Sequence, residues 1–269
     1  MIPFVAFPGL PPAICSRCGR DRTFTHVYTD GDVPTICLQC LAVVKDGRHP
    51  AVSYRVLPTA LDPEPVIRER LIRRGLSERD ADCAIQQVPA RILQLIPQEW
   101  LVKILAGGKI RTGLGLVGLP EQGKSGFLAA LLKTNWANYL RISLQRWDFD
   151  WNYEDQFRWV NWLQWATRIQ LDPWNESHVQ LLDICKQIPV LVLDDLAREK
   201  VEDPRAAERI RAILTSLIDF RDGAHLPILW TSNLGVPALL EKYDAHHVRR
   251  LIHGNPAIEL PPDMPTWSA

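Results

Sequence analysis

Blocks of continuous apolar residues alternate along this chain with stretches in which apolar positions recur every three or four residues. Leu114-Gly115-Leu116-Val117, Ile188-Pro189-Val190-Leu191-Val192-Leu193, Leu226-Pro227-Ile228-Leu229-Trp230 and Ala257-Ile258-Glu259-Leu260 are of the first kind. Such runs suit strands covered on both faces, as in a parallel sheet flanked by helices. Tyr139-Leu140-Arg141-Ile142-Ser143-Leu144 reads as a further strand. Residues 127–132 and a segment from about 204 to 221 read as helices, and residues 65–76 as a basic helix closed by Gly75. Residues 93–105, with Trp100 among them, lead into the first strand and are expected to pack on its domain.

Six of the ten tryptophans fall between positions 147 and 174. Trp159, Trp162, Leu163, Ala166 and Ile169 recur at helical spacing and predict the buried stripe of an amphipathic helix. Trp147, Phe149, Trp151 and Tyr153 lie instead in a turn-like segment, where aromatics can stack on unpaired bases. The interleaved Asp148, Asp150, Glu154 and Asp155 repel phosphate, so packing or a protein contact is the expected use.

Between the first strand and the helix that follows it, Gly118-Leu119-Pro120-Glu121-Gln122-Gly123-Lys124-Ser125 forms a complete G-x-x-x-x-G-K-[ST] loop. The glycines permit a tight turn, so that backbone N–H groups and a helix N-terminus converge on nucleotide phosphates. Glu121, Gln122 and Gly126 complete the expected phosphate-facing set around Gly118 and Gly123. Lys124 is expected at the β and γ phosphates, and the Ser125 hydroxyl on Mg²⁺. The second apolar run ends in Asp194-Asp195, at the strand edge where α/β sheets bind ligands. Asp194 is expected to hold Mg²⁺, and Asp195 to orient or deprotonate the attacking water. Thr231-Ser232-Asn233 ends the third run, and Asn233 is a candidate for positioning that water.

Composition narrows the class. The chain has 269 residues, 46% of them hydrophobic, and a formal net charge of zero, so any nucleic-acid contact must come from local patches. No apolar run approaches the length of a membrane span and the start Met1-Ile2-Pro3-Phe4 does not resemble a signal peptide, so a cytoplasmic protein without a membrane partner is expected. Cys15-Ser16-Arg17-Cys18 and Cys37-Leu38-Gln39-Cys40 stand eighteen residues apart, the spacing of a zinc ribbon. Asp30-Gly31 supplies a hairpin turn between them, and zinc bound by Cys15, Cys18, Cys37 and Cys40 would stabilise a segment short of large apolar residues. Arg17, Arg20 and Arg22 around the first pair are open to phosphate or to solvent. The expected division is a ribbon over 1–50, a proline-punctuated linker and basic helical segment over 51–108, and a nucleotide-binding domain over 109–269.

In their order, Gly118 to Ser125, Leu193-Asp194-Asp195-Leu196, Thr231-Ser232-Asn233 and Arg250-Leu251 resemble the AAA+ ATPases of the DnaC/DnaI helicase-loader and IstB transposition-helper group. The resemblance covers residues from about 68 to 260. It implies a P-loop core with a five-stranded parallel sheet, its strands near Leu116, Leu140, Leu191, Ile228 and Ile258. It also implies an ATPase whose sensor is Asn233 and whose arginine finger is Arg250, with Arg249 as the alternative, acting on the nucleotide of a neighbouring subunit in a homo-oligomer. No C-terminal helical lid is expected, and the loop reads Leu-Pro-Glu-Gln where relatives are richer in glycine. Joined to a zinc domain, the layout is similar to helicase loaders. The implied partners are a replicative helicase, gripped by the ribbon, and single-stranded DNA; the alternatives are a transposase helper and a nucleotide-switched adaptor.

Overall fold

The computed structural model describes residues 64–146, 156–264 and 267. The four ribbon cysteines and the aromatic turn from Trp147 to Tyr153 lie outside them.

Among the described residues, four short helices come first: α1 (Glu64–Arg73), α2 (Glu78–Asp82), α3 (Ala90–Leu95) and α4 (Gln98–Leu105). Strands and helices then alternate as β1 (Leu114–Val117), α5 (Lys124–Arg146), β2 (Phe157–Asn161), α6 (Trp162–Leu171), α7 (Glu176–Gln187), β3 (Val190–Leu196) and α8 (Pro204–Gly223). The remainder is β4 (Ile228–Ser232), α9 (Val236–Lys242), α10 (Ala245–Gly254) and β5 (Ala257–Glu259). All strand pairs are parallel, in the order β2-β3-β4-β1-β5.

Strand alternation divides the core into two layers. Val190 and Val192 of β3 face Phe127, Leu128, Leu131 and Trp136 of α5, with Ile67, Leu71, Ile92 and Ile104 from the first helices. Leu191 and Leu193 face the opposite layer of Trp162, Trp165, Ile169, Ile213, Leu217, Val248 and Leu251. Gly115 lies against the Trp230 ring, so closely that a Cβ would fall 2.1 Å from it. That missing side chain lets the tryptophan lie flat across the sheet.

One strand stands elsewhere than the sequence pattern suggests. Residues 139–144 continue α5, and the edge strand beside β3 is Phe157–Asn161. A short alternating run does not by itself separate strand from helix, and here tertiary anchoring favours the helix. Asn135 Nδ2 donates to the carbonyls of Ile104 (2.7 Å) and Gly108 (3.0 Å), and Asn138 Nδ2 to that of Leu105 (2.6 Å), docking α5 on α4. The tryptophan stripe divides accordingly: Trp159 is in β2, while Trp162, Trp165, Ala166 and Ile169 form the buried face of α6. Leu163 is half-buried beside them.

The arginines of α1 are committed within the domain. Arg68 pairs with Asp82 and Arg73 with Glu69, and the Arg70 guanidinium lies 5.9 Å from the centre of the Trp136 ring. Among the described residues, no helix is long and apolar enough to cross a membrane.

Candidate nucleotide site

The sheet order places β1 beside β4 and β4 beside β3, so the carboxyl ends of these three strands form one edge. The residues that follow them line a cleft of about 390 Å³. Its walls hold Pro120, Glu121, Gly123, Lys124, Ser125 and Gly126 from the loop, Asp194 and Asp195 from β3, and Asn233 after β4. Gly118 and Gln122, expected among the phosphate-facing residues, stand behind this wall.

The loop's shape follows from its glycines and from one exception. Gly123 has φ +78°, in the left-handed region that glycine enters without steric cost. Glu121 adopts φ +64° with its side chain exposed, an uncommon conformation for a residue bearing a Cβ. Gln122 is buried, and its Nε2 donates to the Pro261 carbonyl at 2.8 Å, so its side chain braces the loop from behind. Lys124 Nζ donates to the carbonyls of Gly118 (2.9 Å) and Leu119 (2.6 Å). Burial lowers the Lys124 pKa to about 8 despite the neighbouring Asp195 and Asp194. The ammonium form still predominates at neutral pH, and the charge of a bound polyphosphate would favour it further.

The two aspartates differ in environment. Asp194 is buried, with Ser125 Oγ and Thr231 Oγ1 both donating to its Oδ1 at 2.6 Å. Desolvation raises its pKa from 3.8 to about 6, against the two hydroxyl bonds that lower it. A buried carboxylate beside a hydroxyl is an all-oxygen donor set of the kind a hard divalent cation takes, and Mg²⁺ fits it chemically. Asp195 keeps 23% of its side chain exposed. It has φ +60° and Ala197 has φ +68°, two strained positions that interrupt the β3–β4 register after Leu193. Such residues cost about 1–3 kcal/mol each and persist where surroundings over-determine them. Thr231 Oγ1 accepts the Asp195 N–H (2.9 Å), Ser232 Oγ donates to the Leu196 carbonyl (2.9 Å), and Lys242 Nζ donates to the Ala197 carbonyl (2.7 Å). The bulge thus aims Asp195 into the cleft, where Asn161 Nδ2 (3.2 Å) and Arg198 (3.4 Å) reach its carboxylate.

Titration of Asp194 gives a stability test. Its folded-state pKa lies above its unfolded value, so its contribution is fully present below about pH 4 and is lost as pH rises through about 6. Asparagine retains an oxygen acceptor for Ser125 and Thr231 but does not ionise. Without nucleotide or Mg²⁺, Asp194→Asn is therefore expected to stabilise the protein by about 2–3 kcal/mol at pH 8 and by almost nothing at pH 4. Urea unfolding at the two pH values measures the difference; equal effects at both would count against it.

Arg250 lies away from the cleft. Its Nη1 pairs with Asp219 Oδ1 of α8 at 2.6 Å, where His247 Nδ1 also approaches at 3.0 Å. Arg249 is exposed and has no ion pair among the described residues. The cleft also contains residues not expected from the motifs: Ser77, Arg79, Asp80, Cys83, Asn161, Arg198 and Trp267. The Ser77-x-x-Asp80 spacing marks a helix start, which α2 is, with Ser77 Oγ accepting the Asp80 N–H at 3.1 Å. No comparable local signal marks Trp267.

The parallel order β2-β3-β4-β1-β5, with a phosphate loop after β1 and paired acids at the end of β3, defines the architecture. The fold is that of an AAA+ ATPase core. A solved structure of DnaI shares it at 19% identity and a TM-score of 0.51, over 70% of this chain and 95% of that one. A candidate primosome component from Streptococcus pyogenes serotype M3 is similar at 18% identity and a TM-score of 0.50, over 71% of this chain and 95% of that one. A DnaC helicase loader aligns at 18% identity and a TM-score of 0.48, over 69% of this chain and all of that one. No family model matches the sequence, and no curated protein matches it. The relation to these proteins is thus a likeness of fold.

Proposed function

We propose that this chain is an ATP-dependent loader of a replicative helicase, acting with single-stranded DNA in the initiation of replication. The observation that carries the ATPase half is the convergence of Lys124, Ser125, Asp194, Asp195 and Asn233 on one cleft. The loader half rests on the ordered motifs and on the fold shared with a DnaI.

In this reading, Lys124 leaves the Gly118 and Leu119 carbonyls for the β and γ phosphates of ATP. Ser125 and Asp194 hold Mg²⁺, which when bound neutralises phosphate charge. Asp195, with Asn233, orients a water in line with the γ-phosphorus and accepts its proton. The new P–O bond forms as the bond to the β–γ bridging oxygen breaks, and ADP leaves with that electron pair. A neighbouring subunit supplies an arginine to the same phosphate. Arg249 is the uncommitted one of the pair, whereas Arg250 would first have to leave Asp219. Zinc on Cys15, Cys18, Cys37 and Cys40 would fold the ribbon that grips the helicase, making nucleotide state and partner binding properties of one chain.

Affinity capture with ATP tests the reading, using the intact chain and a Cys15→Ser/Cys18→Ser version as baits. A replicative helicase held by the intact chain and lost from the variant is the expected result. A transposase in its place would make the chain a transposition helper, while partners that bind irrespective of ATP would make it an adaptor.

A further inference from the structure

The nucleotide reading leaves half of the cleft unused. Lys124, Ser125, Asp194, Asp195 and Asn233 surround the phosphate end; Ser77, Arg79, Asp80, Cys83, Gly126 and Trp267 surround the other. We propose that Trp267 is a nucleotide-binding residue, whose indole stacks on the base of the bound nucleoside triphosphate.

The segment after β5 is fastened to the phosphate loop at several points. Leu260 N–H donates to the Val117 carbonyl at 2.7 Å, and the Pro261 carbonyl accepts from Gln122. Arg91 of α3 makes two bonds to the Asp263 carboxylate, at 2.8 and 3.0 Å, and Met264 is buried. Trp267 N–H then donates to the Glu121 carbonyl at 3.0 Å. This bond holds the Trp267 backbone against the loop.

The ring reaches from there into the cleft. A Cβ on Gly123 would fall 2.2 Å from Trp267 Cε3, and one on Gly126 would fall 3.1 Å from Cζ3. Gly123 is thus required for the indole to lie against the loop, while Gly126 gives it close passage over the first turn of α5. Gly126 directly follows Ser125, so a nucleotide with its phosphates in the nest passes the indole as it extends toward Ser77 and Cys83. An aromatic face at that point offers stacking to any base, with Arg79 and the hydrogen-bonded Ser77–Asp80 pair on the same wall.

This inference rests on the nucleotide reading, and its test separates the two. ATP and inorganic tripolyphosphate, each with Mg²⁺, are titrated calorimetrically into the wild type, Trp267→Ala, Trp267→Phe and Lys124→Ala, with thermal unfolding to verify that each variant is folded. Stacking predicts that Trp267→Ala weakens ATP about tenfold or more, that Trp267→Phe keeps most of the affinity, and that tripolyphosphate binding is unchanged in both. Unchanged or tighter ATP binding by Trp267→Ala would overturn the inference, the latter making the segment a plug. Parallel loss of tripolyphosphate would overturn it too, making Trp267 a prop for the loop. Wild type that binds neither ligand, or Lys124→Ala that binds both normally, would instead remove the nucleotide reading itself.

Discussion

Asp195→Asn is expected to lower ATP turnover by about 10²–10⁴-fold, the range for loss of a general base, while ATP affinity stays within about threefold. The reason lies in the division of labour between the two acids. Asp194 is buried and holds two hydroxyl bonds, so it suits a cation that stays in place. Asp195 projects from a strained bulge, partly exposed, with Asn161 and Arg198 the only described side chains hydrogen-bonded to its carboxylate. Asparagine keeps the shape and an oxygen for Asn161, but it takes no proton from water. Phosphate release at saturating ATP, beside equilibrium dialysis of ATP, measures both halves. Turnover at the wild-type rate, or loss of binding together with turnover, would count against Asp195 as the base.

The second large effect is on stability. Arg221 is fully buried near the end of α8 and has no carboxylate partner among the described residues. Its Nη1 donates to the carbonyls of Cys185 (2.7 Å) and Ile188 (2.7 Å), and its Nη2 to those of Pro189 (3.2 Å) and Pro227 (2.6 Å). These carbonyls lie at the end of α7 and at the entries to β3 and β4, so one guanidinium gathers three elements on the side of the sheet opposite the cleft. Burial lowers its pKa to about 10, which leaves it charged at neutral pH, and a cation at the α7 C-terminus also opposes that helix's dipole. Arg221→Met fills much of the volume but leaves the carbonyls without donors. A loss of about 3–5 kcal/mol is expected by urea unfolding, with Arg221→Lys recovering only part because an ammonium does not span the same fork. A loss below about 1 kcal/mol would show that water replaces the guanidinium without difficulty.

Sequence and tertiary structure determined different parts of this protein. The candidate nucleotide site could be located in the sequence because the chemistry it would need is local: a phosphate loop needs its glycines, lysine and hydroxyl at fixed spacing, and paired acids belong at the end of an apolar strand. Strands β1, β3 and β4 were legible for a similar reason, since a strand buried on both faces must be apolar through most of its length, and β5 was legible as a short apolar run although it is a partly exposed edge strand. The sequence also marked the zinc-ribbon spacing of Cys15, Cys18, Cys37 and Cys40, which zinc analysis of the intact chain addresses directly.

What the sequence left open depended on partners distant along the chain. Residues 139–144 remained helical because Asn135 and Asn138 dock α5 on α4, contacts that no local periodicity encodes. Thr231 looked like a strand-end residue, and only the adjacency of β4 to β3 made its hydroxyl the link between Asp194 and Asp195. Nothing local in the sequence distinguishes Arg221 from the other arginines of α8; the fold encloses it. Trp267 stands 144 residues after Gly123 and reaches it only because β5 pairs with β1 and delivers the following segment to the phosphate loop. Local chemistry sets the backbone of a loop, but which distant side chain covers it is set by strand order.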